Sequence, residues 1–148
     1  MCELGNLADD GLVLQTIAAA VGVSEQPGRP LQSTLADYLR NRRLCLILDN
    51  CEHVLAACAG HAYDLLRAAS GLRILATSRE ALGIAGERVF PVPSLELPRL
   101  DGPISAEEAA RWPAVRLFVE RAASVEPSFS LTDQNAVSVV QVLSLIHI

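Results

Sequence analysis

Apolar residues along the chain follow two spacings, one typical of helices and one typical of buried strands. Helical spacing runs through Leu12–Val21, Leu31–Asn41 and Val54–Ala69. Two short apolar runs, Leu44–Leu48 and Leu72–Ala76, have strand length, and the continuous hydrophobicity of the first predicts a strand buried on both faces. Strands separated by helices of this length predict right-handed crossovers and a parallel sheet, so we expect an α/β fold.

The pattern changes after the second predicted strand. A third short strand is predicted at Arg88–Val92, and residues 94–105, which are rich in proline and glycine, are predicted to form a linker. Helical spacing resumes over residues 106–142, with Pro113 expected at a first helical position and Thr132 as the cap of the last helix. The predicted apolar stripe of the helix that begins at Pro113 consists of Leu117, Phe118, Ala122 and Val125. We therefore expect residues 1–93 to form one domain and residues 106–142 to begin a helical subdomain.

The last six residues of the sequence interrupt the helical pattern that precedes them. Leu143–Ile148 can be encoded by a transposon end that is used to prepare sequencing libraries. We expect this tail to be an assembly artefact and give it no functional role, because residues that derive from library preparation carry no information about the fold. A genuine amphipathic tail is the alternative, because helix patterning tolerates these residues.

Composition narrows the range of functions. The chain is 51% hydrophobic, which fits a packed aliphatic interior, and its formal net charge of −5 disfavours a nucleic-acid-binding surface on this segment. No apolar run approaches the roughly 20 residues needed to span a bilayer, so we expect no membrane partner. A cytoplasmic location with reduced cysteines is the resulting expectation.

Polar side chains follow both predicted strands at their carboxyl ends. Asp49 comes directly after the first strand, and Thr77, Ser78 and Arg79 come directly after the second. Ligands of open α/β folds bind at this edge of the sheet, where a carboxylate can hold Mg²⁺ and a guanidinium can contact a phosphate. Each signal is weak alone, because an aspartate after a strand is often only a helix cap.

Four segments together resemble a known family. Arg43–His53, Leu72–Glu80, Gly86–Val92 and Pro113–Ala122 look like the corresponding motifs of STAND-class (NB-ARC-like) P-loop ATPases that belong to LuxR-type or AfsR-like bacterial transcriptional regulators. The segments occur in the expected order, and the resemblance as a whole extends over nearly all of residues 1–142. The resemblance implies a partial P-loop NTPase domain with flanking helices, followed by a short all-helical segment.

The resemblance also implies roles for single residues. Asp49, as the Walker B acid, would help to hold Mg²⁺, and Arg79 would act as a sensor of the γ-phosphate of ATP beside Thr77 and Ser78. Asn50 stands where many related ATPases have a second acid; an amide cannot take a proton, so Asn50 would at most orient water. Glu52 could replace that acid only if the chain turns it toward the site. The implied cofactors are ATP or ADP with Mg²⁺, and slow turnover suits a nucleotide-dependent switch.

The phosphate-binding half of such a site is missing from the sequence. No Gly-x-x-x-x-Gly-Lys-Ser/Thr segment occurs, so nothing cradles the phosphates. In the family, the P-loop strand lies between the sensor strand and the strand predicted at Arg88–Val92, so its loss leaves a gap in the sheet. We expect the isolated chain to bind ATP poorly or not at all, and any DNA binding to belong to a separate domain. Self-association is a further partner expectation.

Two other functions remain open on the sequence. One is an adaptor module that binds proteins without nucleotide, for which Asn50 and the missing P-loop are natural. The other is a non-NTPase α/β enzyme, but neither Gly-x-Ser-x-Gly nor Gly-x-Gly-x-x-Gly is present. A zinc site is not expected either, although three cysteines and two histidines fall within residues 45–61, because their spacing lacks a Cys-x-x-Cys pair.

Overall fold

The computed structural model describes residues 1–99 and 102–146. It divides the chain into two compact units, Met1–Val89 and Phe90–Ile148. Each unit has its own hydrophobic core.

The first unit is built on a small parallel sheet. Its strands are β1 (Cys2–Glu3), β2 (Leu44–Asp49) and β3 (Leu72–Ala76), in the order β1-β2-β3. Both strand pairs are parallel, so the three carboxyl ends lie at one edge of the sheet. The predicted α/β class with a parallel sheet is confirmed.

Three helices flank this sheet. They are α1 (Val13–Ala20), α2 (Leu31–Leu39) and α3 (Leu55–Ala68), and a 3-10 turn at Asp10–Leu12 leads into α1. The Asp9 carboxylate accepts a hydrogen bond of 2.8 Å from the Gly11 N–H, which satisfies a free donor at the start of this turn. Fully buried aliphatic side chains from the helices and strands form the core, among them Ile17, Leu35, Leu48, Leu65 and Leu72.

One face of the sheet is open, so the prediction that the β2 strand is buried on both faces is wrong. Cys45 is exposed and Ile47 only half-buried, and their partners Arg73 and Leu75 on β3 are both exposed. The residues that alternate with them along β2, such as Leu46, point into the core. Within the described part of the chain, helices cover one face alone, and an apolar run cannot show which of its faces has a neighbour.

The strand predicted at Arg88–Val92 does not form. This segment has no regular structure, and Val89 and Phe90 are 67% and 85% exposed. Among the described residues β3 pairs only with β2, so no neighbouring strand is present to which this segment could bond. A lone extended segment is not stable in water without a paired strand, and Pro91 lacks a backbone donor.

The second unit contains three helices. They are α4 (Ala106–Ala109), α5 (Pro113–Val125) and α6 (Ala136–Ile146). Ser105 and Glu108 form a capping box at the start of α4, and Pro113 occupies the first turn of α5, as predicted. Residues 94–99 and 102–105 of the predicted linker have no regular structure, while residues 100 and 101 lie outside the described residues.

Two details of the second unit differ from prediction. Helix α5 buries Ala114 and Val115, and Phe118 of the predicted stripe packs half-buried against the second core, whereas Leu117 and Val125 are 43% and 86% exposed. Thr132 does not cap α6 through its hydroxyl. Instead the Asn135 carboxamide accepts a hydrogen bond of 2.8 Å from the Thr132 N–H.

Helix α6 extends into the tail Leu143–Ile148, which the sequence predicts to be an assembly artefact. Leu143 is buried in the second core, and Ser144–Ile146 are helical but exposed. His147 and Ile148 lie outside the described residues. The artefactual origin of Leu143–Ile148 stays a prediction.

None of the helices within residues 1–99 and 102–146 combines the length and the apolar character that a bilayer span requires.

Candidate functional site

The predicted site residues lie together at the carboxyl edge of the sheet. The register pairs Leu48 with Ala76, which places Asp49 and Thr77 side by side where the two strands end. Two backbone bonds extend the pairing beyond the strands: the Thr77 N–H donates to the Leu48 carbonyl at 2.9 Å, and the Cys51 N–H donates to the Thr77 carbonyl at 3.0 Å. This edge is therefore held by main-chain bonds as well as by side chains.

The Thr77 hydroxyl joins the ends of both strands. It donates to Asp49 Oδ1 at 2.5 Å and accepts from the Asn50 N–H at 2.9 Å. A hydroxyl has one donor and two acceptor positions, so a single group can serve both bonds. The bond fixes the orientation of the Asp49 carboxylate and, within the described structure, leaves its second oxygen, Oδ2, without a protein partner.

Asn50 occupies a strained backbone position. Its φ of 65° lies in the left-handed region, which asparagine tolerates better than most residues with a Cβ atom. Its side-chain amide lies against Gly5 in the loop after β1, since a Cβ atom at Gly5 would stand 3.0 Å from Asn50 Nδ2. The backbone of Asn50 thus contacts Thr77, while its side chain faces Gly5, and the water-orienting role stays a prediction.

Arg79 reaches the same edge and pairs with Glu52. Its Nε donates to Glu52 Oε1 at 3.2 Å, and its side chain is 86% exposed. The pKa of Glu52 is lowered, first by a bond from its own backbone N–H and then by Arg79. Ser78 is half-buried, and its hydroxyl accepts a bond of 3.3 Å from the Glu80 N–H in a local turn. Sequence reasoning missed the Glu52–Arg79 pair because it depends on how the chain turns after β2, which no spacing rule fixes.

A second feature that the sequence did not reveal is the loop after β1. The Leu4 N–H donates to the Asp49 carbonyl at 3.0 Å, and Leu4 is fully buried. His53 Nε2 lies 2.9 Å from the Leu4 carbonyl. Because a carbonyl can only accept, His53 carries its proton on Nε2. These bonds attach the β1 loop to the segment that contains Asp49.

The cysteines divide into one exposed and three buried thiols. The interpretation of Cys45 as buried is wrong, since it lies on the open face of the sheet, whereas Cys2, Cys51 and Cys58 are buried. Contact with Cys58 and burial raise the pKa of the Cys51 thiol, which keeps it protonated. Among the described residues, no group of three or more His, Cys, Asp and Glu side chains is arranged to hold a metal ion.

The chemistry of the edge fits one half of a nucleotide site. A carboxylate beside a hydroxyl offers the oxygen ligands that Mg²⁺ prefers, directly or through water. Arg79 adds a cation suited to phosphate. No backbone cradle for phosphates accompanies them in the sequence. A shallow depression of about 500 Å³ lies instead at the opposite, amino end of β2 and β3, beside Arg43, Gly71 and Arg73, away from all the predicted site residues.

The amino-acid sequence of the chain is similar to those of several mycobacterial proteins. It is 41% identical over 140 residues to proteins of Mycobacterium tuberculosis and Mycobacterium bovis that are named "Putative HTH-type transcriptional regulator"; the match covers 95% of this chain and 14% of theirs. It is 36% identical over 141 residues to an uncharacterized protein of Mycobacterium tuberculosis, of which it covers 33%. No protein-family model matches the chain, and no solved structure does. The chain thus spans a minor part of the length of the curated relatives it matches.

Proposed function

We propose that this chain is a segment of a STAND-class P-loop ATPase within a transcriptional regulator, and that it contributes the magnesium and sensor side of the nucleotide site. The observation that carries this proposal is the Thr77 hydroxyl, which ties the Asp49 carboxylate to the end of the neighbouring parallel strand at 2.5 Å. A helix cap alone would not require such a cross-strand bond. On its own the chain is inactive, because the phosphate-binding half lies outside it.

Asp49 and Thr77 form the cation side of the proposed site. Asp49 keeps Oδ2 available for Mg²⁺ or for a water molecule bound to it, while Thr77 prevents the carboxylate from rotating. Bound Mg²⁺ would neutralise phosphate charge. The cross-strand bond orients the carboxylate in advance, so its side-chain entropy need not be lost when the cation binds.

Arg79 forms the sensor side. Its guanidinium lies at the same edge and distinguishes ATP from ADP if it contacts the γ-phosphate. Ser78 directly precedes Arg79 along the chain, and Asn50 follows Asp49, with the proposed role of orienting water rather than activating it. A site with Asn50 at the position of the second acid suits a switch that holds its nucleotide longer than a metabolic enzyme does.

The regulatory part of the proposal rests on the similar proteins. Those named as HTH-type transcriptional regulators are much longer than this chain, so DNA binding is assigned to a domain outside it. The formal net charge of −5 supports this assignment, because DNA-binding surfaces need clustered Lys and Arg. Self-association would couple the nucleotide state to DNA binding.

The proposal is tested by Asp49→Asn in a reading frame extended upstream until it includes a Gly-x-x-x-x-Gly-Lys-Ser/Thr segment. We expect the wild-type protein to bind ATP more tightly with Mg²⁺ than with a chelator present, and the variant to lose most of that difference. Asp64→Asn, which alters an exposed carboxylate on α3, is the matched control and should keep it. If ATP binding depends on Mg²⁺ to the same extent in both variants, Asp49 does not have the proposed magnesium role.

A protein-binding adaptor that needs no nucleotide is the second candidate. The exposed apolar residues of the first unit favour it, since Leu75 on β3 is 56% exposed and Val89 is 67% exposed. The DNA upstream of Met1 separates the two functions. An in-frame P-loop supports the ATPase segment, whereas a ribosome-binding site with no such frame supports the adaptor.

A further inference from the structure

Glu52 and Arg79 form an ion pair at the candidate site. None of the predicted roles explains this pair. Glu52 follows β2 and Arg79 follows β3, so the pair spans the same two strand ends as the Asp49–Thr77 bond. The Arg79 Nε donates to Glu52 Oε1 at 3.2 Å. The edge therefore carries two side-chain links between the strand ends.

The two partners differ in how firmly they are held. The Glu52 side chain is only 22% exposed, whereas the Arg79 side chain is 86% exposed. A long exposed arginine samples many rotamers unless a contact restricts it. Within the part of the chain that the structure describes, Glu52 is the hydrogen-bond and ion-pair partner of the Arg79 side chain and so restricts it.

The geometry of the bond leaves the Nη groups of Arg79 available to a phosphate. The bond to Glu52 uses Nε, and among the described residues none forms a hydrogen bond or an ion pair with Nη1 or Nη2. A guanidinium has five N–H donors in a rigid plane, and its two Nη groups can bind two oxygens of one phosphate. Glu52 can thus hold the arginine from one side while the other side binds an anion.

We propose that Glu52 is a positioning residue, which orients Arg79 through Nε so that the Nη groups contact the terminal phosphate of ATP at the Asp49 edge. This inference rests on the proposed function, because it needs a nucleotide at that edge. A positioning role predicts that removal of Glu52 weakens ATP binding. In a competing role, Glu52 would occupy Arg79 and weaken its binding to phosphate, so removal of Glu52 would strengthen ATP binding.

Two substitutions of Glu52 separate these roles. Glu52→Ala removes the acceptor, whereas Glu52→Gln keeps an oxygen that accepts from Nε but removes the charge. If Glu52 positions Arg79, Ala weakens ATP binding by about two- to fivefold, the range expected for an exposed ion pair, and Gln weakens it less. If Glu52 competes with phosphate, both substitutions tighten ATP binding.

The experiment measures ATP and ADP dissociation constants in the upstream-extended protein. We expect Glu52→Ala to weaken ATP binding, to leave ADP binding unchanged, and to have no effect when Arg79→Ala is also present. Glu107→Ala, which breaks the exposed Glu107–Arg111 pair in the second unit, is the matched control and should change neither constant. Tighter or unchanged ATP binding by Glu52→Ala overturns the inference, as does an equal loss for ADP.

A measurement on the 148-residue chain separates failure of the inference from failure of the proposed function. The Nε–Hε signal of Arg79, followed by nuclear magnetic resonance without nucleotide, should shift in Glu52→Ala and stay near its place in Glu52→Gln. If neither substitution changes the chemical shift of this signal, the inference is overturned and the proposed function is unaffected. Absence of ATP binding in the wild-type extended protein overturns both.

Discussion

At the scale of single residues, Thr77 does more for the candidate site than its predicted role required. The sequence places it among residues that could lie near a phosphate, but in the structure its hydroxyl connects the Asp49 carboxylate to the Asn50 N–H. This bond supports the left-handed backbone of Asn50, a conformation that is unfavourable for residues with a Cβ atom even though asparagine tolerates it better than most. Thr77 therefore stabilises the turn in which the magnesium and water-orienting roles are proposed.

The four cysteines give a prediction about accessibility. In the folded chain, one thiol should react rapidly with a water-soluble disulfide reagent, because Cys45 is exposed while Cys2, Cys51 and Cys58 are buried. All four should react after denaturation. Cys45→Ser is the control and should abolish the rapid phase while leaving the slow reaction unchanged. More than one rapid thiol in the native chain would contradict the described core.

The identities of the site residues could be predicted from sequence, but their contacts could not. A strand that ends in Asp49 and another followed by Thr77 and Arg79 indicate a shared sheet edge, because parallel strands bring their carboxyl ends together. The partner of Arg79 could not be predicted in the same way. It depends on how the loop containing Glu52 turns after β2, and no spacing rule fixes that turn.

At the scale of elements, Gly71 allows β2 and β3 to begin side by side. A Cβ atom at this position would lie 2.4 Å from the Arg42 carbonyl oxygen, which is far inside contact distance. The clash is with backbone, so no side-chain rotation could relieve it. This close approach sets the start of β3 next to the chain entering β2, and with it the register that brings Asp49 beside Thr77.

Gly71→Ala should therefore destabilise the first unit by about 1–3 kcal/mol, as overpacking of a fixed backbone does. Gly60→Ala is the matched control, because Gly60 lies within α3 with no atom near the position of a Cβ, and it should stabilise the unit by about 1 kcal/mol through helix propensity. Urea unfolding should be followed by far-ultraviolet circular dichroism rather than by tryptophan fluorescence. Trp112 lies in the other unit, so its fluorescence would not report on the first. Equal effects of the two substitutions would show that the close approach at Gly71 does not occur.

The elements themselves were predicted unevenly. Helices α1 to α3 and strands β2 and β3 could be placed within a few residues, because their spacing and length are distinct. The strand at Arg88–Val92 could not be assessed in this way, because a strand exists only with a paired neighbour, which sequence alone does not supply. The same limit explains the open face of the sheet beside Cys45 and Leu75.

At the scale of the whole molecule, the two units differ in whether they carry the candidate site. The first unit carries the candidate site, and among the described residues the outer edge of β3 pairs with no strand. The second unit has its own small core of helices α4 to α6, to which Leu143 of the questioned tail contributes. The curated relatives are several times longer than the chain, so the proposed switch needs parts that neither unit contains.

The central claim is that the chain carries one half of a nucleotide site. It is tested most directly by isothermal titration of Mg·ATP into the 148-residue chain and into the upstream-extended protein under the same conditions. We predict no measurable binding to the chain alone, because it lacks a phosphate cradle, and binding in the micromolar range or tighter to the extended protein. Micromolar binding by the 148-residue chain itself, or none by the extended protein, would contradict the claim.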